Sequence, residues 1–269
     1  MADAQLRPIL PQRMGRVEFL PALMFTAFIA FFAWSLHQAE VDIGELIAGI
    51  PNMARIGADM IPPATDRAVP MMLSLLVTFQ MALVGTVVGI LLSVPLAVLA
   101  SSNHTPHPWL YTASRGLISL FRTVPDLAWA LFFVASVGLG PFAGTLTIIV
   151  DTIGFCGRFF AENMEEADPG PAEALTAIGG TKLDIVTCAA IPCALPAMIN
   201  TSLFSLEKAV RASVVLGLVG AGGIGVELSV SMEMFRYDQA ATIVLMIFFL
   251  VMAVERFSSL ARKRLFARQ

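Results

Sequence analysis

The sequence predicts an all-α integral membrane protein with six transmembrane helices. Three observations carry that prediction: the composition, the recurrence of long apolar runs, and the charges at the two ends. Of 269 residues, 57% are hydrophobic and 14% charged, too little polar material to cover a water-soluble globule of this length. A hydrocarbon core of about 30 Å needs about 20 apolar residues of helix. Runs of that length fall at residues 17–36, 71–100, 117–139, 141–160, 188–207 and 237–257. The N-terminal tail holds Arg7, Arg13 and Arg16, and the C-terminal tail holds Arg262, Lys263, Arg264 and Arg268. The positive-inside rule places both tails in the cytoplasm, which demands an even number of spans.

The elements follow in order. After a cytoplasmic tail, 1–16, the first run has no small-residue cleavage site and a longer apolar stretch than a secretion signal, so it is expected to stay as a helix. From Val41 to Met60, Ile43, Leu46, Ile47, Ile50, Met53 and Ile56 recur at amphipathic spacing, with a break expected near Pro51. Such a helix suits the membrane surface, the protein's own bundle or an external partner. Residues 61–70, IPPATDRAVP, are expected to form a stiff turn. A first segment, 17–69, thus precedes a transmembrane core, 70–257, and a basic tail, 258–269. The second run exceeds one span, so it should tilt or project. With the N-terminus inside, residues 101–116 and 161–187 face the cytoplasm, while 37–70, 139–141 and 208–236 face outside.

The connection at 161–187 is longer than neighbouring helices need. Pro169, Gly170 and Pro171 interrupt the chain, Glu173 opens a short helix, and Gly179 with Gly180 ends it. Lys182 to Ala190 starts a second helix that runs into the membrane through Ile191 and Pro192. This hairpin suits a partner's groove and can pass rigid-body motion to the spans behind it.

At these residues the chain resembles the membrane subunits of ABC-type importers. Glu173 and Ala174 open that family's cytoplasmic signature, Gly179 stands six positions after the glutamate, and Ile191–Pro192 close it. Leu175 and Ala189 depart from the usual residues. FRTVPDLAWALFFVASVGLGPFAG from Phe121, EEADPGPAEAL from Glu165 and RASVVLGLVGAGGIG from Arg211 look like the phosphonate-importer branch. The resemblance implies a type I (MetI-like) importer permease fold with a cytoplasmic coupling helix, here carrying Glu173, Ala174, Gly179, Lys182, Ile191 and Pro192. It also implies a bacterial cell-membrane location, a homodimer, two ABC ATPase subunits and an extracytoplasmic substrate-binding protein. Phosphonate is the implied substrate, with phosphate, phosphite or another small solute as alternatives.

The residues themselves bound the chemistry. No G-x-x-x-x-G-K-[ST] is present, and GGTK at Gly179–Lys182 lacks its spacing, so ATP and Mg²⁺ are expected on a partner and no cofactor or metal on this chain. Cys156, Cys188 and Cys193 form no C-x-x-C and are expected as small packing residues. His104 and His107 flank Pro106 in a loop and suggest no metal site. No basic patch interleaved with aromatics suggests nucleic acid. Clustered acids or histidines for a lipid-phosphate enzyme are missing, as are the repeats of a secondary transporter.

Gly220, Gly222 and Gly225 spell G-x-G-x-x-G, but no strand precedes them and no acid follows at the right distance, so they are no dinucleotide site. With Gly223 they suit either a flexible gate in a segment, 212–228, that dips into the membrane, or close helix packing. Arg122, Glu207 and Arg211 are the candidate pathway charges, since an ionisable group within a span faces a cavity or a partner. Glu207 and Arg211, four apart, suit a helical ion pair. Lys208 and Arg158 are placed nearer an interface, and Asp126 and Asp151 at helix ends or between helices.

Overall fold

The computed structural model describes residues 19–266, so Arg7, Arg13, Arg16 and Arg268 lie outside the described residues. Two compact units divide the chain, residues 1–56 and 57–269. Among the described residues every regular element is helical.

In the first unit α1 (Phe19–Gln38) carries no acidic or basic side chain apart from His37 in its last turn. Its 20 residues make a rod of about 30 Å, the thickness of a bilayer core. A four-residue turn follows, in which Asp42 Oδ1 accepts the Gly44 N–H at 2.6 Å and so caps the next helix. That helix, α2 (Ile43–Asp59), runs unbroken through Pro51, contrary to the expected break there. Proline at this position forfeits one main-chain hydrogen bond, and the regular turns on either side carry the helix past it.

The second unit is built on α3 (Ala68–Ala100) against α6 (Pro141–Glu165). Gly85, Gly89, Ser93 and Ala97 recur every fourth residue along α3, the small-residue spacing that lets two membrane helices approach closely. A Cβ on Gly85 would stand 2.6 Å from Ile148 Cγ2, so the two helices touch main chain to side chain. Ser93 donates to its own helix at the Gly89 carbonyl, 2.6 Å away. Buried Ala97, Ala100, Ile118, Cys156, Phe160 and Met198 continue this seam.

The third apolar run is not one straight span. Helices α4 (Pro108–Thr123) and α5 (Asp126–Val137) meet at 90°. Pro125 explains the corner: its ring forces Val124 out of the helical region, to ψ 124°. Arg115 of α4 pins the corner helix in place. Its Nε donates to the Ala100 carbonyl at 2.9 Å, and its Nη2 lies 2.9 and 3.0 Å from the two Glu165 oxygens. Glu165 also accepts the Ser102 N–H at 2.6 Å, so three chain segments converge on one carboxylate.

Next come α7 (Gly170–Ala177), α8 (Lys182–Ile185), a π-helical turn at Val186–Ala190 and α9 (Ile191–Leu218). The rod from Lys182 reaches Leu218, 37 residues in all. The fifth span therefore does not end at residue 207, and the dip expected over 212–228 shrinks to a short loop before α10 (Ile224–Glu233). The charges at 207, 208 and 211 look like a membrane boundary in sequence, but two of them are neutralised by neighbouring helices, so the helix has no cause to leave the bundle there. The last helix, α11 (Tyr237–Phe266), packs on α3, α9 and α10.

Among the described residues five helices are long and apolar enough to cross a bilayer, and the spans number six when the bent α4–α5 pair counts as one. Replacing Gly89 by valine should wedge α3 from α6 and cost about 1–3 kcal/mol. A lowered midpoint of thermal unfolding in detergent, set against a midpoint that is not lowered for Gly57→Ala in α2, whose Cβ would meet nothing within 4 Å, checks this.

Candidate functional site

Three features make up the candidate site: the hairpin of α7 and α8, the glycine joint after α9, and the charges along α9.

The hairpin is fixed by its own main chain. Gly179 takes φ 86°, where an L side chain is strained. The Gly180 N–H bonds back to the Leu175 carbonyl at 2.9 Å and the Gly179 N–H to Thr176 at 3.0 Å, the paired bonds of a Schellman stop. Helix α7 starts at Gly170, three residues before Glu173, because Pro171 supplies a preset first turn. Thr181 then opens α8 with a capping box: its N–H donates to Asp184 Oδ2 at 2.9 Å, and its hydroxyl accepts the Asp184 N–H at 3.3 Å. The π turn follows because Pro192 has no N–H and its ring crowds the carbonyl four residues back; the Ile191 N–H bonds five residues back, to Val186.

Glu173, Ala174, Gly179 and Lys182 are exposed around this tip, Ile191 is half-buried and Pro192 is exposed. Two large apolar side chains stand in the open beside them, Ile178 at 81% and Leu183 at 76% exposed. A cleft of about 630 Å³ separates α7 from the end of α6 and the 101–107 loop, lined by His104, Glu165, Asp168, Glu173 and Ile185. Burial lowers the His104 pKa, with the Met164 main chain and Glu165 opposing. Cys188 and Cys193, expected as packing residues, are exposed, whereas Cys156 is buried.

The glycine joint lies at the far end of the rod. Gly220, Gly222 and Gly223 all have positive φ, 84°, 86° and 77°. The Gly140 N–H donates to the Gly220 carbonyl at 3.0 Å, and a Cβ on Gly222 would stand 2.7 Å from the Pro141 nitrogen. On the other side Thr78 of α3 accepts the buried Ile224 N–H at 2.7 Å while donating to Ser74. Gly225 packs directly on Gly217 and the Val214 carbonyl. The four glycines thus form a close-packed joint between α9, α10 and the α5–α6 turn.

Along α9 the charges sort by partner. Lys208 meets Asp151 of α6 at 2.6 Å, with its ammonium 5.3 Å from the Phe155 ring centre. Glu207 pairs with Arg262 of α11 at 2.9 Å, not with Arg211 as its i,i+4 spacing suggested, because the α11 guanidinium reaches it first. Arg158, placed nearer an interface by the sequence, pairs with Glu162 at 2.7 Å. Arg211 is exposed and, among the described residues, has no carboxylate within ion-pair distance; the same holds for Arg122, which borders a small recess with Arg115 and Arg158. Among the described residues no ion pair joins Arg122, Glu207 and Arg211 to one another. Sequence reading missed Thr78, Ile178 and Leu183, and took Arg262 for a tail residue.

Residues 93–268 match the family of binding-protein-dependent transport system inner membrane components, and the chain belongs to that family. Its members are membrane-embedded subunits of ABC importers and are not themselves enzymes. Among curated proteins, the phosphate-import permease protein PhnE of Mycolicibacterium smegmatis is 41% identical over 80% of this chain and 38% of its own length. This chain thus spans well under half of that relative. The phosphite transport system permease protein PtxC of Stutzerimonas stutzeri is 34% identical over 83% of this chain and 81% of its own length. Among solved structures, an inward-facing MetNI methionine ABC transporter superposes with a TM-score of 0.65 at 21% identity, covering 75% of this chain and 99% of that one. An amino acid ABC transporter gives 0.62 at 16%, covering 74% and 95%.

Thr78→Val should orphan the Ile224 N–H and cost about 1–3 kcal/mol, read as a lower thermal midpoint. Lys208→Ala should leave Asp151 unpaired and destabilise by a similar amount, discounted because Lys208 is about a third exposed. Lys208→Met combined with Asp151→Leu should recover most of that loss in the same assay.

Proposed function

We propose that this chain forms, as a homodimer, the translocation pathway of an ATP-driven importer for phosphonate or a closely related phosphorus oxyanion in a bacterial cell membrane, with both termini cytoplasmic. Two ABC ATPase subunits seat on the α7–α8 hairpins and bring the ATP and Mg²⁺. An extracytoplasmic binding protein delivers the solute.

The single observation that carries this reading is the hairpin, whose exposed Leu183 lies in the first turn of the 37-residue rod, with exposed Ile178 across the glycine turn from it. A partner gripping the tip moves the whole of α9 and the glycine joint at its end. Phosphorus oxyanions are favoured because relatives over 30% identical are phosphate-import and phosphite transport permeases; phosphate or phosphite as the solute is the second reading on the same ground. Arg211 is the cation on α9 left free for such an anion, and two copies would present two. Arg122 would add diffuse positive potential, while Glu207 is held by Arg262 and serves to fix the helix.

With a cognate ATPase and binding protein in proteoliposomes, Gly179→Val should abolish ATP-dependent phosphonate uptake while membrane insertion persists; full uptake by that variant would overturn coupling through this hairpin. Arg211→Ala should cut uptake about tenfold, consistent with one charge-assisted contact of about 1.4 kcal/mol, without changing co-purification of the ATPase. Unchanged uptake would remove Arg211 from the pathway.

A further inference from the structure

Helix α2 is two-sided over its first three turns, with Ile56 the one large apolar side chain outside the stripe. At 100° per residue, Ile43, Leu46, Ile47, Ile50 and Met53 fall within a sector about 120° wide, and Glu45, Asn52, Arg55 and Asp59 fall opposite. None of its residues is buried. The stripe stands open along its whole length, with Ile43 at 69%, Ile47 at 61% and Met53 at 59% exposed.

Chain connectivity says what covers it. α1, an uncharged span, ends at Gln38, four residues before α2 begins. α3, free of charged residues throughout, begins at Ala68, eight residues after α2 ends. Four residues reach at most about 14 Å, so the start of α2 stays close to the membrane surface where α1 emerges. The eight-residue return is bent, with the Ile61 N–H on the Ala58 carbonyl at 3.1 Å and the Ala68 N–H on Thr65 at 3.2 Å. It is too short to bring the chain back from the tip of an upright helix about 26 Å tall. Both ends of α2 are therefore held at one bilayer surface, and the helix lies along it.

We infer that α2 is an interfacial helix, its Ile43–Met53 stripe sunk to the boundary of headgroups and acyl chains and its Glu45–Asp59 face in water. Apolar area drives the insertion. The polar face carries Glu45 and Asp59 against the single Arg55, so attraction to anionic lipid contributes nothing to it. The inference requires α1 and α3 to be spans and does not depend on the solute, the ATPase or which side of the membrane α2 occupies.

The test is spin-label accessibility in the full chain, reconstituted in phosphatidylcholine vesicles, with single cysteines at Ile47, Ile50 and Asn52 in a background lacking Cys156, Cys188 and Cys193. All three labelled positions are exposed, so labelling leaves the packing intact. The ratio of oxygen to water-soluble nickel-chelate accessibility should be several-fold higher at Ile47 and Ile50 than at Asn52. Equal nickel access at all three would overturn the inference by showing an aqueous helix. Shielding of Ile47 and Ile50 from both probes would overturn it in favour of a protein partner. A contrast that arises only with phosphatidylglycerol would overturn the apolar driving force. None of these measurements involves ATP, so their failure is separate from any failure of the coupling hairpin.

Discussion

The second unit depends on one continuous helix. From Lys182 through the π turn to Leu218 the chain stays helical although Pro192 and Pro196 bring no N–H, and membrane surroundings reward that continuity because an unsatisfied amide in hydrocarbon costs several kcal/mol. Pro192 would kink an ordinary α-helix. The five-residue bonding before it absorbs the missing N–H, so the hairpin tip and the distant glycine joint belong to one lever. A softer connection would leave a partner's grip on Leu183 dissipated before it reached the joint.

What the lever meets at its far end is a stop. Thr78, Pro141 and the Gly220–Gly225 turn interlock through a buried hydrogen bond and contacts that admit no Cβ. Along its length the lever is tied to α6 by Lys208–Asp151 and to α11 by Glu207–Arg262. These ties set the rotational position of α9 and leave Arg211 as the α9 charge with no ion-pair partner among the described residues. In a packed interior such arrangements switch between discrete states and do not deform smoothly, which suits a transporter that alternates access.

Much of this was legible in the sequence. The apolar runs placed every long helix and the Glu173-to-Pro192 spacing located the hairpin, because each rests on local chemistry that the bilayer enforces. The corner at Val124–Pro125 was marked by its proline but hidden inside an apolar run. The end of α9 was misplaced because Glu207, Lys208 and Arg211 read as a boundary, and only the fold reveals that Asp151 and Arg262 neutralise two of them. The four-residue repeat Gly85, Gly89, Ser93, Ala97 was visible and predicts the α3–α6 seam. Thr78 gave no signal at all, since its role depends on an amide 146 residues away.

The lever is tested most directly by an electron-spin distance between labels at Leu183 and Leu218 of one copy, diluted with unlabelled chain and assembled with the proposed ATPase partner. A straight rod over that interval spans about 53 Å. The distance should be the same without nucleotide and with ATP trapped, while in the proposed homodimer Leu183-to-Leu183 distances between copies change. A Leu183–Leu218 distance that shortens when ATP binds would show the rod bending at the π turn and would contradict transmission through a rigid α9.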